Sequence, residues 1–246
     1  MIRPLPEELR GLLARGEVVF SLRDVVRELL ENALDAGAKR VRVELYGGGR
    51  ERIVVEDDGQ GIPLAELPLA VEPFATSKLL DPGRITTLGF RGQALYALRQ
   101  AALLRIRSRP RFQVGGGLLL ARGERVEVRE VPAPPGTRVE VVGWEGEGSE
   151  REVAELLRRY LLHYPWLSLA FFAEGEARLL FPGAGLKEAA RLAFGRVLTE
   201  RLLPVEREAG ACAFRACFPD PRLPAPGPTF SSWPSTAAPW PGQRVC

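Results

Sequence analysis

The sequence predicts an α/β chain with one large domain and part of a second, and three observations carry that expectation. Residues 22–36 place apolar side chains at helical spacing, and residues 41–55 alternate apolar with polar around a triple glycine. Residues 103–142 then hold four strand-like segments in succession.

Taken in order, Ser21 followed by Asp24 resembles a capping box and opens the first helix. Val25, Val26, Leu29, Leu30, Ala33 and Leu34 supply its buried side, and Gly37 is placed to end it. Val41, Val43 and Leu45 alternate with polar residues. The glycines 47–49 and the run Ile53-Val54-Val55 complete a hairpin that enters the loop Asp57-Asp58-Gly59-Gln60-Gly61. A Pro- and Thr-rich stretch, 68–87, lacks periodicity and suits a mobile loop. Gly89-Phe90-Arg91-Gly92 then leads into a helix through Ala94, Leu95, Leu98 and Ala102.

Strands are expected at 103–107, 118–121, 126–131 and 137–142, a helix at 152–164 stopped by Pro165, and a second hairpin at 167–173 with 177–181. Pro182-Gly183-Ala184-Gly185 reads as a linker, followed by a helix at 186–194 and strands at 203–206 and 211–218. The expected division is therefore 1–182, a partial second domain at 183–228, and an unstructured, aberrant tail at 229–246 rich in Pro, Ser and Trp.

Composition narrows the classes. No apolar run approaches the ~18–20 residues that span a bilayer, and the N-terminus lacks the apolar core of a secretory signal, so a cytoplasmic location without membrane contact is expected. Three cysteines confined to the C-terminal part and a single histidine, His163, offer neither a zinc spacing nor a disulfide framework. A net charge of +3 permits local nucleic-acid contact without arguing for it. Two biases stand out: Lys39, Lys78 and Lys187 are the only lysines among 34 basic residues, and Asn32 is the only asparagine. Scarce asparagine fits either a heat-adapted chain or GC-rich coding.

Glu28, Asn32 and Asp35 stack on one face of the first helix. Such a stripe is ordinarily a solvated face. Against that, the sole asparagine sits where helix propensity disfavours it, and Asp35 places a carboxylate at the negative helix end. Near a phosphate, the Asn32 amide oxygen can ligate Mg²⁺ and Glu28 can take a proton from an attacking water.

The loop from Asp57 to Gly61 has the composition of a surface turn, yet a carboxylate at a strand end can also accept the N6 amino hydrogens of adenine. Gly59 and Gly61 would let the backbone approach such a base. Gly89-Phe90-Arg91-Gly92 puts backbone N–H groups at a helix N-terminus, where an anion can bind. No Gly-Lys-Ser/Thr is present, so this is not a P-loop. Thr76-Ser77-Lys78 is a candidate phosphate contact, and Thr137 could hold a water against the base. Arg105, Arg107, Arg109 and Arg111 form a basic run that is either the solvated face of a strand or a DNA contact.

In order and spacing, VVRELLENALDAGA at 25–38, DDGQGI at 57–62, ATSK at 75–78 and LGFRGQAL at 88–95 resemble the ATPase region of MutL-type mismatch-repair proteins. LLARGEVV at 12–19 resembles the start of the same family, which is related to the gyrase, chaperone and histidine-kinase ATPases. The resemblance is clear over residues 1–142 and weaker to about 218.

It implies a two-layer α/β sandwich, a mixed and largely antiparallel sheet with helices on one face. It further implies ATP and Mg²⁺ as cofactors, Glu28 as general base and Asn32 as the Mg²⁺ ligand. Asp57 would read adenine with Thr137 supporting a bridging water. Asp35, Gly59, Gly61, Thr76, Ser77 and Lys78, with Leu88, Gly89, Phe90, Arg91, Gly92, Gln93, Ala94 and Leu95, would complete the nucleotide site. An ATP-gated homodimer, DNA and a MutS-type mismatch-recognition partner are implied as well.

Four departures accompany the resemblance. Gln93 stands where the family usually has Glu, the segment between Lys78 and Leu88 is shorter, and GWEGEGSER at 143–151 replaces the family's FYNTPAR run. The second-domain VNGR strand and its lysine are also not found, so the expectation is weak hydrolysis or, alternatively, a repair scaffold that binds ATP without hydrolysing it.

Overall fold

The computed structural model describes residues 3–4, 21–73, 75–76, 94–200, 202–209 and 212–219. Two short strands, β1 (Arg3–Pro4) and β4 (Ala75–Thr76), pair antiparallel. The first helix, α1 (Leu22–Asp35), begins at an N-cap Ser21 whose side chain accepts the Asp24 N–H, while the Asp24 carboxylate reaches back to Ser21. This reciprocal cap satisfies two of the otherwise unpaired N–H groups of the first turn. The hairpin β2 (Arg40–Tyr46) and β3 (Arg52–Asp57) turns through the three glycines as expected.

The stretch expected to be irregular from residue 68 is ordered at its start. A short helix, α2 (Leu67–Ala70), buries Leu67, and Val71 just past its end is buried as well; residue 74 and residues 77–93 lie outside the described residues. Then come α3 (Ala94–Ala101) and the strands β5 (Leu103–Arg109), β6 (Gly116–Arg122), β7 (Arg125–Val131) and β8 (Gly136–Val142). The buried Arg99 anchors α3, pairing with Glu72 at 3.1 Å and lying over the Tyr96 ring.

The next helix, α4 (Glu150–His163), starts two residues earlier than the sequence suggested. Ser149 and Glu152 form a second capping box that the periodicity of apolar residues does not register. After it come β9 (Ser168–Ala173), β10 (Glu176–Pro182), α5 (Leu186–Phe194), α6 (Arg196–Thr199), and the antiparallel pair β11 (Leu202–Ala209) and β12 (Cys212–Pro219). The Cys246 end and everything from 220 onward lie outside the described residues.

Eight strands form one sheet in the order β10-β9-β2-β3-β8-β5-β6-β7. Every pairing is antiparallel except β2 with β9, which α4 makes possible by carrying the chain from β8 back across the sheet to β9. Alternation decides the faces. Val41, Val43, Leu45, Ile53, Val55, Leu104, Ile106, Val141, Leu169 and Phe171 are buried with Leu22, Val25, Leu29, Leu98, Val153 and Leu157 of the helices. The opposite face carries charge, with Arg138 bridging Glu56 at 2.6 Å and Glu140 at 2.8 Å. The result is the expected mixed sheet with helices on one face, and α5 adds Ala189 to the same core.

One polar contact crosses this helical layer. Glu31 of α1 is 6% exposed and accepts a hydrogen bond from the Tyr160 hydroxyl of α4. Burial raises the Glu31 carboxyl above its ordinary range, only partly offset by that bond, and the neighbouring Glu28 charge pushes the same way. Removing the phenol leaves a buried carboxyl without its donor. Tyr160→Phe is therefore expected to cost about 1–3 kcal/mol, read as a lower urea midpoint at unchanged slope. A midpoint equal to that of the parent would show that water already serves Glu31.

Candidate functional site

The C-terminal end of α1 meets the loop that follows β3, where Asp57 and Asp58 stand. Ala36, just past α1, accepts the Gln60 N–H at 2.9 Å, which joins the helix C-terminus to the 57–61 loop. Gly59 sits in this joint: a Cβ there would lie 2.8 Å from that of Ala36. Gly61 has φ +72 and a Cβ there would lie 2.4 Å from the Arg109 carbonyl oxygen. Both glycines thus sit where the protein's own atoms leave no room for a Cβ, a reason additional to the approach of a ligand that the sequence suggested.

The two adjacent aspartates have separate environments. Asp58 accepts the N–H groups of Lys39 at 2.8 Å and Arg40 at 2.7 Å, and pairs with the Arg40 guanidinium at 3.1 Å. Those donors outweigh its partial burial and hold its carboxyl below the usual range. It fastens the loop to the start of β2. Asp57 has no cationic partner among the described residues. It accepts the Gly59 N–H at 2.8 Å and the Thr137 N–H, yet burial dominates and pushes its carboxyl up to about 7. A carboxyl so perturbed at a loop junction is a mark of a functional site.

Asp57, Thr137 and Ser108 lie side by side across β3, β8 and β5, because Asp57 pairs with Thr137 and Thr137 with Ser108 in register. Directly paired residues project to the same face, here the helical one. Ser108 is fully buried, with its hydroxyl 2.7 Å from the Ile62 N, 3.0 Å from the Gly136 carbonyl and 2.9 Å from Thr137 Oγ1. Sequence reasoning passed over Ser108. Its signal was present, since it continues the inward alternation of Leu104 and Ile106 with a polar residue.

Along α1, Glu28 is a quarter exposed and lies 3.5 Å from the Arg27 guanidinium, which also holds Asp24. Asn32 and Asp35 are half-buried on the following turns. Asp35 stands toward α4, where its charge and that of Glu31 add to burial in raising the Tyr164 phenol. Glu28 is eight residues before Ala36, ~12 Å by helical rise. That separation is of the order between the base and terminal phosphate of a nucleoside triphosphate.

Not every candidate is brought to this place. Thr76 is described only as the β4 partner of Arg3, and Ser77, Lys78, Leu88, Gly89, Phe90, Arg91, Gly92 and Gln93 lie outside the described residues. Ala94 and Leu95 open α3, both half-buried. Among the described residues no cluster of three or more His, Cys, Asp or Glu could hold a metal by itself. A lone oxygen ligand such as Asn32 suits Mg²⁺, which binds through one or two side chains plus waters and phosphates.

The basic run is not uniform. Arg105 faces Glu140 at 3.9 Å, and Arg107 is exposed with Arg138 as its cross-strand neighbour. Arg109 donates to the Ala133 carbonyl at 2.5 Å and the Gln113 carbonyl at 2.6 Å, and Arg111 donates to the Asp58 carbonyl at 3.3 Å. Arg109 therefore closes its own loop. No helix among the described residues is long and apolar enough to cross a membrane.

Comparisons with known proteins give relatives in sequence and in fold. The family of histidine kinase-, DNA gyrase B-, and HSP90-like ATPases matches residues 17–142. The DNA mismatch repair protein MutL of Thermus aquaticus is 74% identical over 229 residues, covering 91% of this chain and 43% of that protein. MutL of Thermus thermophilus is 72% identical, covering 91% of this chain and 42% of its own length. The chain thus spans less than half the length of these relatives. Among solved structures, the Aquifex aeolicus MutL ATPase domain complexed with ADP matches with a TM-score of 0.62 at 27% identity, over 77% of this chain and 73% of that one.

Proposed function

Because this chain belongs to the histidine kinase-, DNA gyrase B-, and HSP90-like ATPase family, and within it to the MutL type, we propose that it binds Mg²⁺–ATP and hydrolyses it slowly in DNA mismatch repair. What supports this reading is the joint of α1 with the loop after β3, where the Gln60 N–H meets the Ala36 carbonyl next to the buried Asp57 carboxyl, with the partly exposed Glu28 two turns earlier on the same helix.

Asp57 and Thr137 hold the adenine edge, and Asn32 provides the side-chain oxygen for Mg²⁺. The ion would neutralise charge on the phosphates. Glu28 is a quarter exposed and so positioned to take a proton from a water aimed at the terminal phosphate. Asp35, Gly59, Gly61, residues 76–78 and residues 88–95 complete the proposed nucleotide surround. Nucleotide state gates dimerisation of this region in the intact protein and its engagement of DNA and a MutS-type partner, in the cytoplasm. Single-turnover hydrolysis by the purified chain and by Glu28→Ala tests the chemistry.

For DNA, the reading narrows within the basic run. Arg105, Arg107 and Arg111 carry phosphate contacts, while Arg109→Ala would break a loop. Each phosphate contact contributes a slope of about 0.9 in log affinity against log salt. Replacing the three by alanine should flatten the salt dependence by roughly two to three units of slope. An unchanged slope at wild-type affinity would place the DNA surface elsewhere.

A further inference from the structure

Ser108 fixes which way the Thr137 hydroxyl points, and the reasoning is an accounting of one proton. Ser108 Oγ has three partners and no exposure to water. A hydroxyl offers one hydrogen and two acceptor positions. The Ile62 N–H can only donate to it, which fills one acceptor position. The Gly136 carbonyl can only accept from it, which uses the hydrogen. What remains is one acceptor position, and Thr137 Oγ1 stands 2.9 Å away. The alternative, with Ser108 donating to Thr137, withdraws this donor from the Gly136 carbonyl in a buried place, at a cost of the kind that native structures avoid.

From this we infer that Ser108 is a specificity-determining positioning residue: it takes the Thr137 hydrogen, so that Thr137 presents only acceptor lone pairs beside the Asp57 carboxylate. The inference rests on the reading of Asp57 and Thr137 as the base edge of a nucleotide site. Asp57 accepts two backbone N–H groups and has further acceptor capacity. Together the two side chains form an edge that welcomes donors: an exocyclic amine, or a water turning both hydrogens toward the protein. Above about pH 7, where Asp57 is ionised, a keto oxygen in place of the amine meets acceptors on both sides and is rejected. Without Ser108, the Thr137 hydroxyl is free to rotate and to donate to that keto oxygen.

The test compares ATP with inosine triphosphate, which carries a keto oxygen where ATP has its amine. Direct binding of each is measured for the parent chain, Ser108→Ala, Thr137→Val and the double variant. The parent is expected to favour ATP. Ser108→Ala should lower the ATP-to-inosine-triphosphate affinity ratio about tenfold, the loss of one oriented hydrogen bond. In the Thr137→Val background, adding Ser108→Ala should leave the ratio where Thr137→Val put it, because Ser108 acts through Thr137.

A folded Ser108→Ala protein that weakens both nucleotides equally, or neither, overturns the inference, because a merely structural role moves affinity and not the ratio. If Ser108→Ala does not fold, Thr137→Val decides alone, and an unchanged ratio there overturns the inference. Equal binding of the two nucleotides by the parent sinks the inference while leaving nucleotide binding intact. Absence of binding to either removes the underlying reading and the inference with it.

Discussion

Glu28→Ala is expected to lower single-turnover ATP hydrolysis about 100- to 10,000-fold, the usual contribution of a positioned general base, while ATP still binds. The separation of the two effects follows from geometry. Glu28 lies two helical turns from the joint of α1 with the 57–61 loop, where the base is proposed to be held. It lies next to Arg27 and is a quarter exposed, so a water can reach it. Loss of fold does not account for such a result, because alanine is the better helix former at an unburied position. Asn32→Ala supplies the contrasting outcome. It should weaken nucleotide binding in the presence of Mg²⁺ and leave Mg²⁺-free binding near that of the parent. Equal hydrolysis by the parent and Glu28→Ala would falsify the assignment of the base.

Asp57→Asn is expected to act in opposite directions on ligand and fold. Asparagine keeps the shape but replaces one acceptor oxygen with a donor. The proposed adenine contact is then lost, and ATP affinity should fall about 30- to 150-fold, equivalent to roughly 2–3 kcal/mol for a hydrogen bond to a charged group. The fold should gain. Burial lifts the Asp57 carboxyl to about 7 from an ordinary value of 3.8, so the folded chain retains a proton that the unfolded chain releases. Stability is full below the ordinary value, falls as pH rises through that window, and is lowest above about 7. The variant does not titrate there. Its advantage over the parent should be near zero at about pH 4 and on the order of 2–4 kcal/mol above about pH 7. Urea melts at both ends of the window check this, and a difference that does not vary with pH would show that Asp57 is hydrated in the ligand-free chain.

The sequence alone carried the local decisions. The Ser21 cap, the helical spacing of Val25, Val26, Leu29 and Leu30, the alternation through β2, β5 and β8, and the three-glycine turn are each set within a few neighbouring residues. Their physical basis is the roughly 3.6- and 2-residue repeats of the backbone, so a one-dimensional reading recovers them. The ordered motifs carried the family in the same way. Asn32 stands out in the sequence both as the sole asparagine and by its place in the polar stripe of the first helix.

Tertiary structure decided what depends on partners distant in sequence. Asp57 and Asp58 are equivalent in the sequence, yet one is tied to Arg40 and the other is left to burial. Glu31, beside the residues chosen as functional, is committed to Tyr160, 129 residues away. The arginine run splits because Arg109 meets two carbonyls of its own loop. Ser108 gained meaning only when β5 and β8 paired in register and set it against Thr137 and the Gly136 carbonyl. Burial and hydrogen-bond direction are properties of surroundings, and strand pairing, which no local propensity encodes, assembles those surroundings.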